Sequence, residues 1–293
     1  MGARKRITKL IMKMFFLNIV LSCTFLISCS NKNTKVDKQE VSKVVDTTVQ
    51  AKEKESINSQ LQSTPIVYDS TKKYVYLTFD DGPQPGTVQC FNACKNASIK
   101  ATFFMVGAHA SSPQLKQIVK DIKLAYPQSL LANHSYTHAN GRYQYFYNHP
   151  QMAATDFYKA QQSLEVPFKI IRLPGNTSWV FNNKLKASNQ TKPVCKILDS
   201  VGYNVIGWDV EWNFRRGSSY PVESAEKMYS KVVSALNSNS TMQKNHVVIL
   251  THDRMFRNKE HTDSLIKFIN LVKQNPNYVF ETLDHYPNLK KPL

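Results

Sequence analysis

Two adjacent carboxylates, Asp80 and Asp81, end an apolar run, Tyr74-Val75-Tyr76-Leu77-Thr78-Phe79, and are followed at once by Gly82-Pro83. The run is rich in aromatic and β-branched residues and reads as a buried strand closed by a turn dipeptide. Like charges this close raise each other's pKa unless a metal or a cation separates their roles. Further on stand two imidazoles at i and i+4, His134 and His138. One carboxylate with two histidines is a recurrent ligand set for a catalytic divalent metal, with positions left for water and substrate. The other carboxylate is then free to act as a base. Read so, the chain is a metal-dependent hydrolase. Each residue also has a plainer reading: a turn carboxylate bonded to backbone amides, and two surface imidazoles on a helix or loop.

After Val67 the chain alternates strand-like and helix-like segments. Strands are expected at 74–79, 101–106, 129–132, 170–173, 204–208, 247–251 and 278–281, and helices at 87–97, 113–125, 150–164, 192–201, 222–236 and 262–273. Such alternation implies βα units with parallel strands, either a doubly wound sheet or a closed barrel. The polar residues favour the barrel. Asp80-Asp81, His134, Arg172, Asp209 and His252 each fall at the C-terminal end of an expected strand, the rim where barrels carry their active sites.

In chain order, TFDDGP around Asp80-Asp81, His134-Ser-Tyr-Thr-His138, Arg172-Leu-Pro174-Gly175, Trp208-Asp209-Val-Glu-Trp212 and Leu250-Thr-His252 form a series. It resembles the five motifs of the polysaccharide deacetylase family, the NodB-homology or chitin-deacetylase-like group. The resemblance implies an α/β fold, a distorted (β/α)7 TIM-like barrel, that removes acetyl groups from N-acetylated sugars by hydrolysing a carbon–nitrogen amide bond. It implies Asp81, His134 and His138 as metal ligands, Asp80 as base and Arg172 as the residue that orients that base. His252 becomes the acid that protonates the leaving amine, with Asp209 as its expected partner. Leu250 and Trp212 would line the acetyl pocket, and the backbone at Gly175 would join the oxyanion hole. Zinc is the default metal for such ligands, with cobalt or nickel able to serve in the same geometry. Two departures stand out. Gly175-Asn176 replaces an aromatic common in the third motif, and Asp-Val-Glu-Trp replaces the commoner Asp-Ser-x-Asp-Trp, which leaves Asp209 and Glu211 competing for one role. An O-acetyl esterase of xylan type and a catalytically silent glycan-binding lipoprotein are the alternatives. Retention of Asp80, the ligand set and His252 argues against the silent one. The aromatic stretch Arg142–His149 serves equally as a glycan platform or as packing.

The 293 residues divide into three expected parts. Residues 1–28 carry five basic residues, then the apolar stretch Met14–Ser28, too short to span a membrane comfortably. The stretch ends in Leu26-Ile27-Ser28-Cys29, which resembles a bacterial lipobox and makes Cys29 the expected lipidation site. Residues 29–65 are polar, without aromatics, and are expected to be a flexible linker; residues 66–293 are the catalytic domain. The chain would then be exported and lipid-anchored to a bacterial membrane. Its formal charge is +17, or +12 without the five basic residues of the leader. Such charge concentrates polyanions. An export signal argues against nucleic acid and for anionic glycans or a membrane surface, and nothing calls for an obligate protein partner. Of five cysteines, Cys90 and Cys94 lie one helical turn apart as core positions do, and none is assigned to catalysis.

Overall fold

The computed structural model describes residues 66–290. The expected signal peptide, Cys29 and the linker lie outside the described residues. Along the chain run β1 (Lys73–Gly82), α1 (Thr87–Asn96), β2 (Ala101–Met105), α2 (Pro113–Leu124), β3 (Ser129–Asn133), α3 (Tyr143–Asn148), α4 (Pro150–Ser163) and β4 (Ile170–Ile171). They are followed by β5 (Trp179–Phe181), β6 (Lys184–Lys186), α5 (Lys192–Ser200), β7 (Asn204–Val205), β8 (Val210–Glu211), α6 (Ala225–Asn237), β9 (His246–His252), α7 (Lys259–Lys273) and β10 (Tyr278–Phe280). Two helices begin elsewhere than expected because their caps set the start. Ser224 Oγ accepts from Lys227 N–H and opens α6, and Asn258 Oδ1 accepts from His261 N–H and opens α7.

Seven strands pair in parallel in the order β7-β4-β3-β2-β1-β9-β8. The sheet curls as a distorted (β/α)7 barrel. It stays open at one seam, because β7 pairs instead with the antiparallel hairpin β5–β6. The expected seventh strand of the ring, at 278–281, is corrected. That segment is β10, a side strand on the start of β1, and its place in the ring belongs to β8. Two residues are too few to show any periodicity.

Side-chain alternation sorts the core. Val75, Leu77 and Phe79 of β1 face outward into the layer beneath α1, α2, α6 and α7, with Cys90 and Cys94 buried among them. Tyr74 and Tyr76 face the interior with Phe104, Leu130, Ile206 and Val248. The same parity carries Thr78 and Asp80 inward, and β9 answers with Leu250 opposite Thr78 and His252 opposite Asp80. Strand register alone brings the expected base and the expected acid together.

Candidate active site

Arg172 follows β4 and is completely buried. Its Nη1 donates to Asp80 Oδ1 at 2.8 Å and to Thr78 Oγ1 at 2.5 Å. Nε donates to the carbonyl of Ile206 at 3.2 Å, and Nη2 to that of Gly207 at 2.9 Å. The guanidinium also lies 4.3 Å from the centroid of Phe104. A buried charge needs such a full set of partners to be tolerated. Asp80 is thereby fixed with one oxygen on Arg172 and Oδ2 3.6 Å from His134 Nε2.

Asp81 should by alternation point away from Asp80, outward. It does not. The pairing of β1 with β2 slips between Asp80 and Gly82, and Asp81 takes a left-handed conformation, φ 76°. An irregularity of this kind re-aims a side chain at a strand end. Asp81 Oδ1 comes within 3.4 Å of His134 Nε2 and 3.0 Å of His138 Nε2.

The two histidines do not ride on a helical turn. Residues 134–138 form a loop whose amides are held by side chains: Asn133 Oδ1 accepts from Ser135, Ser135 Oγ from His138, and Asp156 Oδ2 from both Tyr136 and Thr137. Ser135 and His138 both have positive φ, 72° and 51°.

Donor chemistry fits a divalent cation. The ligand atoms of Asp81, His134 and His138 lie within 4.8 Å of one another. Asp81 Oδ1 is buried without a hydrogen-bond partner. His134 Nδ1 lies 2.9 Å from the carbonyl oxygen of Arg172, which can only accept; the proton therefore sits on Nδ1 and Nε2 keeps its lone pair. Burial lowers both imidazoles below their ordinary pKa, His138 to about 3, so both are neutral donors at pH 7.

His252 is neutral as well. Burial lowers it to about 4, against the opposing pull of Asp80 and Glu211. The carboxylate expected to partner it, Asp209, is engaged elsewhere: Oδ1 accepts from Met242 N–H at 2.7 Å and Oδ2 from Val248 N–H at 2.8 Å. Glu211 is the fourth-motif carboxylate whose charge reaches His252, and it sits opposite Leu250 on the neighbouring strand. Trp212 is likewise corrected. It faces the outer layer, completely buried, with Phe256 and Phe268 each 5.3 Å from its ring and its Nε1–H donated to the Glu223 carbonyl. One step of alternation past Glu211 takes it out of the barrel, so it cannot line an acetyl pocket. Leu250 does face inward beside the site. Gly175, at φ 63°, lies so close to Tyr143 that a Cβ would come 3.1 Å from its ring.

The described chain matches known proteins along most of its length. Residues 68–203 match the family model for polysaccharide deacetylase. Over that segment the chain is similar to the polysaccharide deacetylase family. It is 27% identical to the chitin disaccharide deacetylase of Vibrio alginolyticus, over 79% of this chain and 76% of that one. It is also 27% identical to a peptidoglycan-N-acetylglucosamine deacetylase of Bacillus cereus, over 62% and 60%. The fold is shared with a crystal structure of a polysaccharide deacetylase from Bacillus cereus, TM-score 0.53 at 21% identity over 74% of this chain and 97% of that one. The catalytic domain of a peptidoglycan N-acetylglucosamine deacetylase from Eubacterium rectale gives 0.54 at 22% over 79% and 97%.

Within this deacetylase fold, sequence reasoning missed three side chains. His109 Nδ1 meets the carbonyl oxygen of Asp81 at 2.7 Å and so braces the left-handed turn. Asp253 is buried beside Gly82 and hydrogen-bonded by Thr87, and burial pushes its carboxyl up to about 8, which leaves it protonated at neutral pH. Arg254 Nη2 touches Asp81 Oδ2. Asp253 and Arg254 had a local signal, directly after His252; His109 reaches the site from the short turn Gly107–His109. The stretch 142–149 divides between its two readings: Tyr143 and Tyr145 are exposed, Phe146 and Tyr147 buried.

Asp209 acts on the backbone. Asp209→Asn should therefore cost about 1–3 kcal/mol of stability, because an amide offers one acceptor oxygen to two buried N–H groups. Chemical denaturation of the variant measures it, and unchanged stability would remove this role.

Proposed function

We propose that this chain is a divalent-metal-dependent hydrolase that deacetylates N-acetylated sugars of a cell-envelope polysaccharide, with zinc as the metal. The observation that carries the reading is one arrangement: Asp80, pinned by Arg172, stands between the trio Asp81, His134 and His138 and its strand neighbour His252. Asp81, His134 and His138 would hold the cation, which would supply Lewis-acid polarisation of the acetyl carbonyl and lower the pKa of the attacking water. Asp80 takes the proton from that water, while Arg172 keeps the carboxylate turned toward it. The backbone at Gly175 and the side chain of Leu250 hold the acetyl group. His252 gives the departing amine its proton, so that acetate and a free amino sugar leave. Exposed Tyr143, edge-on to His138 at 5.8 Å, offers a face for a sugar ring.

His252 must be protonated to serve as acid, and burial opposes this. Glu211 offsets part of that burden. Removing its charge in Glu211→Gln lowers the His252 pKa further, so the alkaline limb of the kcat profile should move to lower pH by about one unit. Activity at neutral pH should fall about tenfold with it. A pH–rate series on both proteins decides; an unmoved limb would take Glu211 out of this role.

Asp80→Asn should abolish acetate release from N- and O-acetylated glycans while leaving zinc content at the wild-type level. Elemental analysis and an acetate assay, the latter repeated after chelation and after zinc return, give the two readings. Activity that survives the substitution would be incompatible with a base at Asp80.

The proposal extends to location. The apolar stretch ending in Leu26-Ile27-Ser28-Cys29 supports export and lipid anchorage at Cys29, with residues 29–65 as the tether. Cys29→Ala should shift the protein out of the membrane fraction, and unchanged fractionation would contradict lipidation there.

A further inference from the structure

The rim beside His252 carries positive charge that hydrolysis does not use. Arg254 lies in the short turn Asp253–Phe256 and Arg257 follows it. The Arg254 guanidinium rests 5.5 Å from the centroid of Phe214, and Phe214 meets His252 edge-on at 4.8 Å. One nitrogen, Nη2, touches Asp81 Oδ2, while Nε is buried with no hydrogen-bond partner. About a third of the side chain, 34%, is open to solvent. Arg257 lies 5.7 Å from the centroid of Tyr220 and donates to the carbonyl of Ser218 at 2.9 Å. Phe214 and Tyr220 belong to the loop 213–222, which adds exposed Arg215 and Arg216 and contains no acidic residue. Glu223 at its end is committed to Asn213 and Lys231.

Arg254 is thus built into the site, stacked on the ring that packs against the acid, with donors it does not use. Its guanidinium, partly enclosed against Phe214 on a rim whose loop 213–222 adds two exposed arginines and no acid, is a site for an anion. Asp81 cannot fill it in full, because its carboxylate is also the anionic member of the metal trio. A carboxylate from the substrate can, since two parallel hydrogen bonds match the guanidinium fork. Resting on the deacetylase reading above, we propose that Arg254, backed by Arg257, is a specificity-determining residue that selects an acetylated glycan bearing a carboxylate on the reacting sugar or on its neighbour.

The test separates binding from turnover. The zinc-loaded full chain carrying Asp80→Asn is titrated calorimetrically with two probes, a disaccharide of N-acetylglucosamine and N-acetylmuramic acid, and diacetylchitobiose, which lacks the carboxylate. The acidic probe should bind about tenfold more tightly, the advantage of one charge-assisted pair. Added salt should erode that preference. Arg254→Gln should abolish it, and Arg254→Lys should restore only part, having the charge without the fork. Equal affinity for both probes, no measurable binding of either, or a preference that survives Arg254→Gln would each overturn the proposal. Thermal melting confirms that the variants fold; should Asp80→Asn fail to, His252→Gln provides the silent background. The two readings fail separately. Acetate release without acid preference overturns only the selection, whereas acid-selective binding without any acetate release overturns only the activity.

Discussion

The site depends on one buried guanidinium. Arg172 joins β1, through Thr78 and Asp80, to the segment after β7, through the Ile206 and Gly207 carbonyls, while Phe104 of β2 lies against its face. No hydrophobic side chain of that volume could satisfy two strand-end carbonyls at the open side of the sheet. A charge stripped of water costs several kcal/mol unless every donor is met, so the strand ends must hold their positions for the guanidinium to be tolerated. Catalysis and folding therefore share a residue: the base is also the counter-ion of the core's largest buried charge. Even the metal trio is tied in, because the Arg172 carbonyl fixes the tautomer of His134.

A second constraint is backbone strain at the donors. Asp81, Ser135 and His138 all occupy the left-handed region, where side-chain-bearing residues cost of order 1–3 kcal/mol each. The surroundings hold them there. His109 takes the Asp81 carbonyl, Asn133 and Ser135 tie the loop amides, and Asp156 reaches across from α4 to two more. Rigid presentation of this kind is what lets three donors converge without a helix beneath them.

Much of this was legible in the sequence where a local rule governs it. The apolar run before Asp80 and the run Val247–Leu250 each announce a buried strand, and alternation along them places Asp80 and His252 inside. Cys90 and Cys94, one turn apart, prove to be core residues. Where strands shrink to two residues, as in β7 and β8, there is no period to read. The ring's seventh strand and the facing of Trp212 were lost together for that reason. The spacing of His134 and His138 permits a helical turn as well as a loop, and leaves the two undecided. His109 enters through a contact with the Asp81 carbonyl more than 25 positions away in the chain, which no window of sequence contains.

The carboxylates of the site show how environment, not residue type, divides the labour. Asp80 faces a guanidinium, Asp81 faces two imidazoles, and Asp209 is held by two backbone amides. Asp253 is buried deeply enough to keep its proton at neutral pH. The charges of Asp80 and then Glu211 favour the protonated form of His252 against its burial. Five acidic side chains around one cleft would repel one another if they shared a role. Each is instead matched to a different partner, and that division is what allows base, ligand and acid to work side by side.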